Sequence, residues 1–403
     1  MLATNPPTPI LENATRPSSA LLPIMAVVLI AFVIIGFALP VLPLHVHQGL
    51  GLSTFVVGLV TGSQFAAAII SRVWSGQYAD RQGAKRAVIV GLLTAIAAGA
   101  LYLLSLRFVA APWASITILL IGRALLGGAE SFIITGAVTW GLALVGPNNA
   151  GRVIAWMGMA MFAAFAIGAP LGTSLYVTGG FAAVAIATTF VPLATLALVA
   201  PLTSVKPQRG AKPGVMKVIG AVWLPGVGSA LSSIGFGAIL AFSALISAER
   251  GWNPVWLSFS TFAISLVLAR ACLGHVPDKL GGARVAAVSA MIEAAGLALI
   301  WLSPGRTVAA IGAALTGFGY ALVYPGFGVE AVRSAPPEGR GVAMGAYTVF
   351  LDVALGFGSP VLGLIAGWTG LGSIFLASAL AVLGGAGVAT RLLLAAASKR
   401  ELS

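Results

Sequence analysis

Long apolar segments separated by short polar ones run along almost the whole chain. A segment of about 20 apolar residues is long enough to cross the hydrocarbon core of a bilayer as a helix. Twelve segments, numbered here as spans 1 to 12, reach this length and predict an all-α integral membrane protein. They comprise residues 21–46, 52–74, 87–107, 113–144, 153–177, 180–203, 217–248, 254–275, 285–302, 307–333, 341–367 and 371–396. Spans 4, 7 and 10 are long enough to tilt or to extend beyond the bilayer.

A polar sequence after span 2 recurs after span 8. Residues 72–86 read RVWSGQYADRQGAKR and residues 270–284 read RACLGHVPDKLGGAR, at a constant offset of 198 positions. The repeat predicts two homologous halves in the same orientation, with a substrate path between them. We therefore expect a tail (1–20), a six-helix half (21–203), a linker (204–216), a second six-helix half (217–396) and a tail (397–403).

The composition agrees with a membrane protein. Hydrophobic residues make up 59% of the 403 residues and charged residues only 8%, whereas soluble domains carry about 25% charged residues. The net charge of +12 could suggest nucleic-acid binding, but the charges lie in short loops between the spans, so no nucleic acid is expected. The single cysteine, Cys272, excludes an intramolecular disulfide, and zinc-type cysteine spacings are absent.

Basic residues predict the orientation. With the N-terminus inside, sixteen Lys and Arg residues fall on the cytoplasmic side and three, Arg107, Arg250 and Arg306, on the outer side. The positive-inside rule therefore places both termini in the cytoplasm. Residues 1–20 lack the features of a signal peptide and are expected to form a disordered cytoplasmic tail.

Ionisable residues within the spans are candidates for function, because charge in lipid is costly and normally faces the protein interior or a wet cavity. Arg123 and Glu130 lie seven residues apart on span 4, which places them on one helical face. Glu130 and Asp352, both near mid-membrane, are candidate proton-coupling groups, and Arg123 could bind an anionic group or tune Glu130. Structural ion pairing and hydrogen bonding to a neighbouring helix are the alternatives.

Other ionisable residues give weaker signals. Glu293 is expected to pack against another helix, and Glu330 to pair with Arg333 one turn away. Arg72 and Arg270 end spans 2 and 8, where snorkelling to the interface would explain them, although their repetition also fits a role in the repeated loop. His45 and His47 have no nearby Asp, Glu or Cys, so no metal site is expected.

Aromatic residues of spans 7 and 10 are candidates for the substrate cavity, with helix packing as the alternative for each. They are Phe236, Phe242, Tyr320 and Tyr324. Tyr324-Pro325-Gly326 is expected to break span 10 beside the cavity.

The sequence from Gly76 to Arg86 resembles the signature loop of the major facilitator superfamily, and the copy after span 8 is typical of that family. Arg123-Ala-Leu-Leu-Gly127 is similar to the family's Arg-x-x-x-Gly element. Gly168-Ala-Pro170-Leu-Gly172 is similar to its antiporter-associated Gly-Pro-x-x-Gly element, with Ala169 in place of the usual glycine. The resemblance covers nearly the whole chain, and segments such as GRALLGGAESF resemble bacterial YhhS/YfcJ-type transporters.

The resemblance implies a major facilitator fold of 12 transmembrane helices in two six-helix halves. It also implies that the two loop copies form a latch that holds the cytoplasmic side closed. The latch residues are Gly76, Asp80, Arg81, Gly83, Lys85, Arg86, Gly274, Asp278, Lys279, Gly281 and Arg284. A basic loop that only sets the topology is the alternative.

These observations favour a secondary transporter that uses alternating access for proton-coupled export of a small organic molecule across a bacterial inner membrane. The proton gradient would be its energy source, no cofactor is expected, and a monomer would suffice. Import of a sugar or organic acid on the same fold is the alternative direction. A membrane enzyme would need a catalytic cluster that the sequence lacks, and a receptor or scaffold would usually add a soluble domain.

Overall fold

The computed structural model describes residues 17–146, 150–205, 215–334 and 340–401, which form helices and short connections. Spans 1 to 4 lie in the helices Pro17–Leu44, Thr54–Gln82, Ala84–Ser105 and Pro112–Val145. Spans 5 and 6 share the helix Ala150–Val199. Spans 7 and 8 lie in Val215–Glu249 and Leu257–Leu273, followed by the short helix Val276–Leu280. Spans 9 to 12 lie in Gly282–Trp301, Arg306–Ser334, Arg340–Thr369 and Gly372–Glu401.

The described helices account for twelve membrane crossings. Among the described residues, 10 helices are long and apolar enough to cross a membrane. One of them, Ala150–Val199, has non-helical backbone at Gly179 and Gly180 and supplies span 5 before this break and span 6 after it. The 17-residue helix Leu257–Leu273 supplies the remaining crossing. The prediction of an all-α protein with twelve membrane spans is confirmed.

The repeated sequence is more helical than expected. Span 2 was predicted to end at residue 74, but its helix continues to Gln82, so most of the first copy is helix. Gly83 then turns the chain with a φ of 100°, and its repeat counterpart Gly281 does so with a φ of 92°. Because L-residues with a side chain rarely adopt positive φ, glycine at these two positions allows the tight connection between consecutive helices.

The predicted break in span 10 is wrong. Pro325 lies inside the continuous helix Arg306–Ser334. Proline removes one backbone donor, but neighbouring membrane helices and local adjustments can satisfy the freed carbonyl group. The chain around Tyr324 therefore offers side chains rather than unwound backbone to its surroundings.

The predicted tail and linker fall partly outside the described residues. Residues 1–16 of the tail and 206–214 of the linker are not among them. The first helix begins at Pro17, within the segment predicted as tail.

Large apolar side chains face outward from the bundle, as lipid requires. Ile70, Val177, Phe357 and Trp368 are between 62% and 78% exposed. Between the helices, glycine allows close approach, since a Cβ at Gly168 of span 5 would lie 2.7 Å from the Cα of Gly36 in span 1.

Spans 2 and 11 bring the two halves together through a row of glycines, called here the glycine seam: Gly58, Gly62, Gly356 and Gly363. A Cβ at Gly62 would clash with the carbonyl oxygen of Gly356, and one at Gly363 with that of Thr54. The hydroxyl of Thr54 also donates a hydrogen bond of 2.7 Å to the Gly363 carbonyl. The seam extends from the predicted outer end of span 2 toward its middle.

Two further hydrogen-bonded links join the halves in the described part of the chain. The Ser260 hydroxyl donates to the Ala166 carbonyl at 3.3 Å, and Arg72 pairs with Asp352. Neither link lies at the ends of the observed helices that are predicted to face the cytoplasm. There, a Cβ at Gly76 or Gly345 would meet no atom within 4 Å. The described inter-half contacts therefore concentrate between the middle of the bundle and its predicted outer end.

Candidate functional site

An ion pair at the boundary between the halves forms the centre of the site. The Arg72 guanidinium donates from Nε to Asp352 Oδ2 and from Nη2 to Asp352 Oδ1, the second at 2.9 Å. The Asp352 side chain is 1% exposed and that of Arg72 26% exposed. Arg72 lies ten residues before the end of its helix, so snorkelling from the helix end does not explain it. The arginine instead compensates a buried carboxylate of the other half.

Glu130 lies close to this pair. Its Oε2 accepts a hydrogen bond of 2.6 Å from the Gln64 amide. Gly127, one turn before Glu130, allows this approach because a Cβ there would clash with the carbonyl oxygen of Gln64. Glu130 is close enough to Arg72 and Asp352 to interact with both electrostatically. Two candidate proton-coupling carboxylates, one from each half, therefore share the environment of a single arginine.

Within the described residues Arg123 and Glu130 do not form the structural ion pair that was the alternative to a functional role, although the two residues lie on one helix. The Arg123 side chain is buried, its Nε donates to the Val60 carbonyl at 3.4 Å, and its Nη1 has no hydrogen-bond partner in the described structure. Arg123 interacts with Glu130 over a longer range. The actual partners of Glu130 and Arg123 are therefore residues of span 2 rather than each other.

The predicted aromatic residues fall into two groups and one outlier. Phe236 stacks on Tyr320, with ring centroids 4.8 Å apart, and on Phe262 at 5.5 Å. Tyr324 packs against Tyr347 at 5.0 Å, and the Tyr347 hydroxyl donates to the Tyr324 carbonyl at 2.6 Å. Phe242 is fully buried and takes part in none of the described ring contacts, so it belongs to neither group.

Arg270 is a functional candidate that the sequence reading underestimated. Its guanidinium lies over the ring of Phe162 in the first half, with Cζ 5.3 Å from the centroid. Its Nη2 makes a long contact of 3.4 Å with the Ala321 carbonyl. Arg270 is only partly exposed and lies between the halves, so snorkelling does not describe it. Its repetition at the position of Arg72 was the available sequence signal.

The latch residues do not connect the halves in this structure. Asp80 and Asp278 are exposed, and within the described ranges neither forms an ion pair. Lys85 instead donates to the Ala200 and Leu202 carbonyls at 2.8 and 2.7 Å, which ties span 3 to the end of span 6. Arg86 bonds Gln82 at 3.2 Å. The latch remains a prediction about a state in which the cytoplasmic side is closed.

The Gly168-Ala-Pro170-Leu-Gly172 element packs span 5 on span 1. A Cβ at Gly172 would clash with the backbone of Phe37, as one at Gly168 would with that of Gly36. The two glycines thus permit a close approach of spans 5 and 1 within the first half.

Three polar groups lie outside this site. Glu293 is fully buried and accepts a hydrogen bond from Ser232, which ties spans 7 and 9 together within the second half. Glu330 lies 3.5 Å from Arg333, as predicted, and also accepts from the Ala283 backbone N–H at 3.0 Å. The His45 ring stacks on Phe181 at 4.1 Å, and the described residues contain no group of three potential metal ligands.

Twelve membrane spans in two repeated halves, with ionisable groups at their boundary, define a membrane transporter. A family model described as Major Facilitator Superfamily matches residues 24–349. The chain belongs to the major facilitator superfamily, whose members are transporters rather than enzymes. The narrower YhhS/YfcJ-type resemblance remains a prediction.

Known proteins are similar over nearly the full length. A protein of Salmonella typhimurium, described as an uncharacterized MFS-type transporter, is 41% identical over 376 residues, which cover 93% of this chain and 97% of the relative. One of Burkholderia pseudomallei with the same description is 39% identical and covers 96% and 95%. The crystal structure of a D-xylose-proton symporter matches with a TM-score of 0.74 at 13% identity, covering 92% of this chain and 97% of that one. This last likeness shows the fold alone.

Proposed function

We propose that this protein is a secondary active transporter that exports a small organic molecule across the bacterial inner membrane in exchange for protons. Both termini lie in the cytoplasm, the proton gradient supplies the energy without a cofactor, and a monomer suffices. The observation that carries the proposal is the grouping of Glu130 and Asp352 around Arg72 at the boundary between the halves.

Proton binding at this position can be linked to movement of the halves. Asp352 belongs to span 11 and Arg72 to span 2, so their ion pair is a bond between the halves. A proton on Asp352 removes the negative charge that holds Arg72, and a proton on Glu130 removes the second negative charge near it. Each proton therefore weakens the attraction across the boundary and favours rearrangement of the halves.

Exchange follows if substrate and protons favour different states of the same boundary. Protons that enter from outside would release the substrate outward, and their loss to the cytoplasm would favour rebinding of substrate there. The similarity of Gly168-Ala-Pro170-Leu-Gly172 to the antiporter-associated element supports exchange over symport.

The test is proton flux in reconstituted vesicles. A substrate found by thermal-shift screening of the purified protein is supplied on one side, and a pH-sensitive dye records proton movement. We expect Glu130→Gln, which keeps the size of the side chain and mimics its protonated form, to abolish substrate-evoked proton flux. Asp352→Asn should have a smaller or comparable effect.

Glu293→Gln is the matched control, because Glu293 is also a buried carboxylate within a span but lies away from the boundary. This variant should keep its proton flux. Full coupling in the Glu130→Gln protein would remove Glu130 from the mechanism. Inverted vesicles with an acidic lumen distinguish export from the alternative, proton-coupled import. An exporter that exchanges substrate for protons should take substrate up as protons leave the lumen, whereas a proton-coupled importer should carry substrate out together with the protons.

A further inference from the structure

The two halves align position by position at their contacts, which allows equivalent residues to be compared. Span 8 follows span 2 at an offset of 198, and Pro360 of span 11 matches Pro170 of span 5 at an offset of 190. With these offsets Gly62 and Gly356 are equivalent to Ser260 and Ala166. Both pairs are in contact in the structure, at the glycine seam and in the 3.3 Å hydrogen bond.

Spans 4 and 10 keep the same offset of 190 positions. A Cβ at Gly127 would clash with the carbonyl oxygen of Gln64, and one at the equivalent Gly317 with that of Phe262. One matched contact between the halves and one matched contact within each half therefore fix the alignment, and residues that differ at equivalent positions have diverged.

The central residues differ in a systematic way between the equivalent positions. Arg72 is equivalent to Arg270, but the partner of Arg72, Asp352, is equivalent to Phe162. The hydrogen-bonded pair Gln64 and Glu130 is likewise equivalent to Phe262 and Tyr320, whose rings lie 6.5 Å apart. We call the first set, Gln64, Arg72, Glu130 and Asp352, the acidic lobe. The second set, Phe162, Phe262, Arg270 and Tyr320, is the aromatic lobe.

The aromatic lobe keeps the cation but lacks the carboxylates. Within the described ranges no Asp or Glu forms an ion pair with Arg270, which rests on the face of Phe162. A guanidinium has five N–H donors, and the only described acceptor is the distant Ala321 carbonyl. A positive charge between membrane helices is costly without a counter-ion. Arginine is also suited to bind a planar carboxylate or sulfonate at two points.

We infer that Arg270 binds the charged head of the substrate, which is a small organic monoanion, a carboxylate or sulfonate, with an apolar or aromatic body. Phe162, Phe236 and Phe262 supply the apolar contacts for that body, and Tyr320 and Tyr324 lie within electrostatic reach of the arginine. The inference rests on the proposed function and adds a division of labour, in which protons act at the acidic lobe and the substrate at the aromatic lobe.

The experiment is a thermal-shift titration of the full-length protein in detergent, without a proton gradient. The probes are benzoate and benzenesulfonate, their neutral counterparts benzamide and benzenesulfonamide, and the cation phenyltrimethylammonium. We expect the two anions alone to raise the Tm of the wild-type protein. Arg270→Gln should raise the anion concentration needed for half-saturation by about ten- to a hundredfold, because charge-assisted hydrogen bonds are lost. Arg270→Lys should raise it by less.

A second pair of variants keeps Arg270 and so does not depend on the folding of Arg270→Gln. Phe162→Asp places a carboxylate at the position equivalent to Asp352, and Phe162→Asn is its neutral control. We expect Phe162→Asp to abolish the response to anions, since the new carboxylate occupies the guanidinium. Its Tm without ligand should also exceed that of Phe162→Asn.

Three results would overturn the inference: no anion raises the Tm, the neutral counterparts raise it equally, or the Arg270→Gln and Phe162→Asp proteins respond to anions like the wild type. These results differ from failure of the proposed function. Anion binding at Arg270 without proton flux in vesicles would refute proton coupling and leave the site intact. Proton-coupled transport of a neutral substrate would instead refute the anion site at Arg270 and leave proton coupling intact.

Discussion

Arg72 and Asp352 stand 280 positions apart in the chain, yet the guanidinium of one donates to both carboxylate oxygens of the other across the boundary between the halves. Loss of one partner from a buried pair leaves a charge without compensation. Such a loss usually costs about 3–5 kcal/mol. The value here should lie at the lower end of that range, because the Arg72 side chain is 26% exposed.

The first prediction concerns this pair. Asp352→Asn and Arg72→Gln should each lower the free energy of unfolding by roughly 3 kcal/mol, and the double variant by clearly less than the sum. The measurement is a double-mutant cycle from denaturant unfolding in mixed micelles. Arg72→Lys keeps the charge but loses the two-point geometry, so it should fall between the wild type and Arg72→Gln. Additive losses in the cycle would mean that the contact does not stabilise the protein.

The second prediction concerns the glycine seam. Gly62→Ala places a methyl group against the carbonyl oxygen of Gly356, so spans 2 and 11 must separate. We expect greater labelling by an impermeant maleimide at a cysteine introduced at position 54, in a Cys272→Ser background. Gly345→Ala is the control, because a Cβ there meets nothing within 4 Å. Equal labelling of the Gly62→Ala and control proteins would show that the glycine seam does not close the predicted outer side.

The third prediction concerns the latch. Asp80 is exposed, so Asp80→Asn should change the free energy of unfolding by less than about 0.5 kcal/mol. If Asp80 holds the predicted cytoplasmic side closed in the other state, transport should slow while expression stays normal. Cysteine accessibility in the inner vestibule should rise. Asp278→Asn tests the second copy in the same way, and unchanged transport with unchanged accessibility would reject the latch.

The fourth prediction concerns orientation. The sixteen-to-three distribution of basic residues predicts a cytoplasmic C-terminus. Alkaline phosphatase, which is active only in the periplasm, should be silent when fused at Lys399 and active when fused at Arg250. Strong activity at Lys399 would require the opposite topology or a different number of spans.

The number of spans could be predicted because the bilayer sets a minimum apolar length and penalises charge within it. The same rule says little about where a helix ends once it has left the lipid. Trp74 precedes a polar sequence that resembles a loop, but those residues are compatible with a helix, and the helix ends only at Gly83, where φ is positive. Tyr324-Pro325-Gly326 was misread for a related reason, since neighbouring helices can support a helix that contains proline.

The partners within the site could not be predicted from spacing along one helix. Glu130 and Arg123 share a helical face, but Gly127 brings span 2 so close that Gln64 reaches Glu130 first. The Arg72 contact with Asp352 depends on the register between two helices from different halves. The sequence could show which residues carry charge within the membrane, whereas the packing of glycines against carbonyl groups determines which of them meet.

The glycine seam also bears on how tightly the membrane stays sealed. Its contacts are mainly backbone against backbone, and the attraction between such atoms falls off within about an ångström. A separation of spans 2 and 11 by about 0.5–1 Å therefore forfeits roughly a quarter to a half of this attraction, so partly open arrangements should be short-lived. A carrier with few half-open states gives ions little opportunity to slip through, and the cell's electrochemical gradient would not be dissipated by leakage between transport cycles.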